Sequence, residues 1–222
     1  MATILPENFP VPGTAAIATY DFQDIAEGTG IIKFFGAEHA EAGTKSYYLT
    51  TNMPYSNSVT LSGSVLAAAS DWQEVINKDF DVKFNRPKNI KGYAFLTFSM
   101  GGNANTGGNQ KIQLSGAQII RYDGTTETVL ATSSSDTLTC LGTGNETGTF
   151  NVRFDLTGGP YHFKAGEILR LSMIMFAQTP ASNALDYEGF GIDPQNRDDP
   201  YATQTIANSY TTKLELYVPT LI

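Results

Sequence analysis

One stretch of the chain concentrates oxygen-bearing side chains. Between residues 179 and 208 lie Asp186, Glu188, Asp193, Asp198 and Asp199 with the base Arg197, and Tyr187, Phe190 and Tyr201 interleave with them. Calcium takes six to eight oxygen ligands, so Asp193, Asp198 and Asp199 are the residues that would supply them. Their spacing is not that of an EF-hand, and no cofactor is expected. Aromatic rings beside carboxylates suit two other tasks, stacking on sugar rings and forming a protein interface. A surface loop packed by its own aromatics is the plain alternative.

Elsewhere the search for catalysis is negative. Asp79 and Asp81 sit two apart on a strand and so share a face. Paired carboxylates do acid–base work in glycosidases, but these flank Phe80 and precede Lys83 on a face expected to be solvated. His39 and His162 have no spacing for a shared metal. No serine stands in a G-x-S-x-G elbow. The run from Gly142 to Gly148 misses the dinucleotide fingerprint by one residue, and a turn is expected there. Gly43-Thr44-Lys45-Ser46 is not a phosphate loop, because glycine does not directly precede the lysine. Cys140 has apolar flanks, which mark a buried structural thiol rather than a nucleophile. Asn145-Glu146-Thr147 has glycosylation spacing, but the N-terminus reads as no secretory leader, so modification is not expected. The chain is expected not to be an enzyme.

The elements that position these residues are strands. In 80–84, Phe80, Val82 and Phe84 alternate with Asp81 and Lys83. The same period of two runs through Phe150, Val152, Phe154 and Leu156, through Leu169, Leu171, Met173 and Met175, and through Leu214, Leu216 and Val218. That period marks a strand with one buried face. In the third set Ile174 and Phe176 make the second face apolar as well, so burial on both sides is expected there. Stretches 31–35, 45–50, 90–100 and 112–122 are further strands. Ser115-Gly116 is expected to bend the last of these. Asp123-Gly124 predicts a hairpin turn into 126–132. Residues 20–28 suit one helical turn, and only 64–77 reads as a helix. Residues 101–110 and 179–208 read as long loops, which are uncommon unless functional. Pro6, Pro10 and Pro12 make 1–20 an extended arm suited to gripping a neighbour. The expected architecture is all-β: one antiparallel sandwich of jelly-roll type over 21–222, with one short helix and long loops.

Composition narrows the partners. The 222 residues carry a formal charge of −8, and only 16% are charged. Nucleic acid and anionic membrane are not expected, since both call for clustered Lys and Arg. No apolar run approaches the roughly 18 residues of a membrane helix. One cysteine rules out an intramolecular disulfide, which fits folding in a reducing cytosol.

Three stretches carry a resemblance. Tyr20-Asp21-Phe22-Gln23-Asp24-Ile25-Ala26-Glu27-Gly28 with 31–36 resembles the N-terminal region of small tailed-phage virion proteins. Phe163-Lys164-Ala165-Gly166-Glu167-Ile168-Leu169-Arg170-Leu171 resembles the approach to a late jelly-roll strand, and Leu214-Glu215-Leu216-Tyr217-Val218-Pro219 its closing strand. The resemblance implies a non-enzymatic jelly-roll structural protein of a phage particle that decorates or cements the capsid. It would assemble in the host cytoplasm and reside in the virion. Its partners would be the major capsid protein or other virion proteins, and its own copies in a homo-oligomer such as a trimer. Pro6, Pro10, Pro12, Tyr187, Phe190 and Tyr201 are the expected interface residues. The alternative is a carbohydrate- or receptor-binding module of a phage tail or a secreted protein, with a glycan as partner.

Overall fold

A computed structural model describes residues 18–19, 29–62, 69–104, 110–140, 144–179, 185–197 and 212–221. The described residues are strands and their connections. In chain order these are β1 (Ala18–Thr19), β2 (Thr29–Glu41), β3 (Thr44–Thr50), β4 (Thr60–Ser62), β5 (Ala69–Lys83), β6 (Lys88–Ile90), β7 (Tyr93–Ala104) and β8 (Gln110–Leu114). Then follow β9 (Ala117–Tyr122), β10 (Glu127–Ser133), β11 (Leu138–Cys140), β12 (Gly144–Asp155), β13 (Tyr161–Phe163), β14 (Ile168–Thr179), β15 (Leu185–Gly191) and β16 (Glu215–Leu221).

The pairing is antiparallel throughout, except for a single parallel bridge of Tyr48 to Asp81 between β3 and β5. One layer runs β2-β16-β7-β12. The other runs β5-β14-β9-β10, and β8 takes over from β9 along the far half of β14. In this interleaved order the chain alternates between layers, as in a jelly roll. The expected all-β antiparallel sandwich is the architecture observed.

The alternating sets named from the sequence meet between the layers. Leu169, Leu171, Met173 and Met175 of β14 are all buried, as are Leu214, Leu216 and Val218. Phe80 of β5 lies at the centre. Its ring centroid is 5.5 Å from that of Tyr47 and 6.3 Å from that of Phe190. Gly36 of β2 faces it closely enough that a Cβ there would stand 3.3 Å from the Phe80 ring. Ile174 and Phe176 are only half-buried, so the outer face of β14 is not covered as expected.

The turns follow their residues. Gly116 adopts φ +73 and breaks β8 from β9, which is the bend expected at Ser115-Gly116. The β9–β10 hairpin turns on Gly124 (φ +100), and Asp123 Oδ1 accepts the amides of Thr125 and Thr126 at 2.9 and 2.7 Å. An Asp side chain that takes up free turn amides is the reason Asp-Gly favours this turn.

Four expectations need correction. Described residues 101–104 of the anticipated loop over 101–110 belong to the strand β7, paired with β12. Described residues 69–77 of the anticipated helix belong to the strand β5, hydrogen-bonded along β14. The long loop of 179–208 is interrupted: β14 runs to Thr179, and 185–191 form β15, paired with β7 and β4. Residues 144–148 open the strand β12 rather than forming a turn. Residues 64–68 and 20–28, and the arm apart from Ala18 and Thr19, lie outside the described residues. Ala18 and Thr19 pair with Ile32 and Ile31 of β2.

Candidate functional site

The long connections gather at one end of the sandwich. Strands β2, β7 and β14 end there, and β5, β8 and β12 begin there. The opposite end is closed by the Asp123-Gly124 turn and by the short pair β6–β13. Loops on a rigid scaffold are where binding residues concentrate, so the loop end is the candidate site.

Its described core is a corner built from residues 51–59 and 192–197. Asp193 is 0% exposed. Its Oδ2 accepts the backbone N–H and the Nε–H of Arg197, both at 2.8 Å, and its Oδ1 accepts the amide of Gln195 at 3.2 Å. The hydrogen bond from the Arg197 side chain to Asp193 and the carboxylate's charge raise the Arg197 pKa, and Tyr55 adds to the effect. Arg197 Nη2 also donates to the Ser56 carbonyl, and the Gln195 side-chain amide donates to the Met53 carbonyl.

A second brace grips the same loop. Glu38 of β2 is buried and accepts Ser58 Oγ at 2.7 Å and Lys45 Nζ at 3.3 Å. Its own amide donates to Ser56 Oγ at 3.0 Å. Beside it, burial and then the Glu38 charge push the Tyr47 phenol up to about 12. The loop tip is thereby held from two sides. It carries Met53 and Tyr55 into solvent. Tyr55 is 71% exposed, and its ring lies 3.7 Å from the Arg197 guanidinium.

This arrangement can present a rigid aromatic and an apolar side chain to a partner. It does not offer Asp193 to calcium, because Arg197 and two backbone amides already engage both carboxylate oxygens. Phe190 is also corrected. It is buried between Phe80 and Phe98 and gives no ring to an interface. Tyr187 lies in β15 opposite Asn103. Pro6, Pro10, Pro12, Asp198, Asp199 and Tyr201 lie outside the described residues. The tip residues were missed in the sequence, although Asn-Met-Pro-Tyr-Ser-Asn between two strands is turn chemistry.

The remaining chemical candidates resolve into structure. Arg170 grips Asp81 in a fork, Nε to Oδ1 and Nη2 to Oδ2, both at 2.8 Å. Its Nη1 reaches Asp79 at 3.4 Å and also binds Glu127. The Asp79–Asp81 pair is therefore an ion cluster with a shared counter-charge. His39 and His162 lie on the surface. Among the described residues no three His, Cys, Asp or Glu side chains converge on a metal-sized site.

Cys140 is fully buried, and burial followed by the Glu146 charge pushes its thiol up to about 12. Its thiolate fraction at pH 8 is thus lower by roughly 10³-fold than that of an exposed cysteine. Iodoacetamide is expected to leave the native protein unlabelled and to modify it fully once urea unfolds it. Rapid labelling without denaturant would contradict this placement.

No protein-family model matches the chain, and no curated protein does. Among solved structures the chain is similar to a CocE/NonD family hydrolase from Staphylococcus aureus, at 11% identity and a TM-score of 0.28. The match covers 85% of this chain and 39% of that one. A likeness of that size carries no argument about activity.

Proposed function

We propose that this protein is a non-enzymatic structural component of a tailed-phage particle. It docks on the major capsid protein or another virion protein through its loop end, as a decoration or cement subunit. The observation that carries this reading is the doubly braced tip bearing Met53 and Tyr55, at the end where the long connections gather. A rigid tip loses little conformational entropy on docking, which favours a permanent contact. The resemblance of 163–171 and 214–219 to late jelly-roll strands supplies the phage context.

The test is sedimentation of the purified protein with shells that lack it. Saturable co-sedimentation, weakened by Tyr55→Ala, is expected. A folded protein that ignores shells would overturn the reading. One observation favours a second reading. An exposed tyrosine backed by a guanidinium is a stacking platform for a sugar ring. Glycan-array binding that is lost in Tyr55→Ala would select that alternative.

A further inference from the structure

The cations of this acidic chain are unevenly placed, and six of the fourteen stand at the closed end. Lys83, Arg86, Lys88 and Lys91 fall within nine residues that hold no acid. The fold adds two more from distant segments. The β5–β14–β9 register sets Lys83 and Tyr122 on either side of Ile168, about 10 Å apart at two strand spacings. Beside Tyr122, Arg121 Nη1 donates to the His162 carbonyl at 3.1 Å. There β13 pairs with β6, with Phe163 opposite Lys88 and Lys164 following. Lys83 lies along the turn after Lys164, since a Cβ at Gly166 would stand 3.9 Å from its Cε. Lys83, Arg86, Lys91 and Lys164 are exposed, and Lys88 and Arg121 are half-buried.

Acids do not cancel them. The strand ends and turns that close this end, 83–92, 121–126, 155–167 and 219–221, contain Asp123, Asp155 and Glu167. Each of these carboxylates is engaged within its own turn. Asp123 accepts the amides of Thr125 and Thr126, Asp155 that of Thr157 at 2.9 Å, and Glu167 that of Lys164 at 3.0 Å. Among the described residues none of the six cations forms an ion pair. The next acids inward, Asp79, Asp81 and Glu127, already hold Arg170. Six cations against three acids leave +3 here, while eight against nineteen leave −11 on the rest of the chain.

The make-up of this end selects its partner. A protein interface has an apolar core, and lysine is depleted from it. Here four of the six cations are lysine, and the large exposed hydrophobics of the described residues all lie outside these segments. Tyr93, at their border, is occupied by the Arg153 guanidinium 4.8 Å from its centroid. A single nucleic-acid strand calls for exposed rings on which its bases stack. Unpaired lysines on turns, with no such ring, suit the phosphates of a duplex, which are met as charge alone. The whole-chain charge of −8 weighs against nucleic acid only as an average. Physiological salt screens it beyond roughly 8 Å, so phosphates at the closed end meet the local charge.

We propose that the closed end binds the phosphate backbone of a nucleic-acid duplex without reading its sequence. It lies opposite the loop end, so the inference does not depend on shell docking, and its test uses no shells. Fluorescence anisotropy of a labelled DNA duplex of about 20 base pairs is expected to show saturable binding in about 50 mM salt, weakened roughly 100-fold in about 200 mM, as about four phosphate contacts require. A duplex of different sequence should bind equally. Lys164→Glu is expected to weaken binding roughly 10-fold and to cut the log–log salt slope by about one, with an unchanged circular dichroism spectrum. Should Lys164→Glu not fold, Arg86→Glu on another turn gives the same readout. Lys111→Glu changes the net charge equally at the loop end and should leave the affinity within about two-fold of wild type. Three results would each overturn the proposal: no duplex binding in low salt, an equal loss in Lys111→Glu, or stronger competition by polyglutamate or phosphatidylglycerol vesicles than by unlabelled duplex at equal charge.

Discussion

Phe80→Ala is expected to be the most destabilising of the changes considered, at about 3–5 kcal/mol. Phe80 is fully buried, and Tyr47 and Phe190 pack on its ring from two directions. Across the layers it meets Gly36, which has no side chain to move into the vacated volume. The cavity therefore stays open and its lining loses dispersion contacts. A related result should appear at Gly36. A Cβ there would lie 2.9 Å from Leu214 Cδ2 and 3.3 Å from the ring of Phe80. Gly36→Ala should destabilise the wild type and be better tolerated beside Phe80→Leu. Contacting residues couple in this way. Urea denaturation of the two single variants and the double variant measures both effects. Strict additivity would show that the two layers do not touch where the structure places them.

Asp193→Ala is expected to cost about 3 kcal/mol, because it orphans two backbone amides and leaves Arg197 without its carboxylate. The side chain of Arg197 is 27% exposed, so water recovers part of the loss. For a chain of this size that amounts to about 6–12 °C in melting temperature. Asp193→Asn keeps one acceptor oxygen and should fall between the two. The damage should be concentrated at the tip, where protease nicking within 51–58 rises before global unfolding does. A melting temperature within about 1 °C of wild type would show that the tip is held by something other than this carboxylate.

The contrast between these residues shows what could be read in advance. Phe80 was legible, because its burial follows from strict alternation with Asp79 and Asp81. Asp193 was legible only as a carboxylate among others. Its partner Arg197 is four residues away, and that spacing suggests an ion pair no more strongly than a metal site. Arg170 shows the harder case, since it grips Asp81 from 89 residues away. The helix expected over 64–77 failed for a physical reason. The β5–β14 register shifts between Met175 and Phe176 and again between Ala177 and Thr179. These irregularities disrupt the period of two across 69–76, where local propensity then suggests a helix. The ladder to β14 overrides that propensity. Phe190 failed similarly, because an aromatic in an acidic stretch looks exposed until β15 pairs with β7 and turns the ring inward.

The sequence by itself determined the class of fold and the core face of its clearest strands, because one-sided burial of a pleated strand writes a period of two into the residues. It also set the negative charge and the near-absence of thiol chemistry. Only the tertiary structure decided which strands are neighbours, which end collects the loops, and which carboxylates are already engaged. It alone brought Arg121 and Lys164 to the end that carries Lys83 and Lys88. Those relations join residues far apart in the chain, and strand pairing between distant segments leaves no local pattern to read.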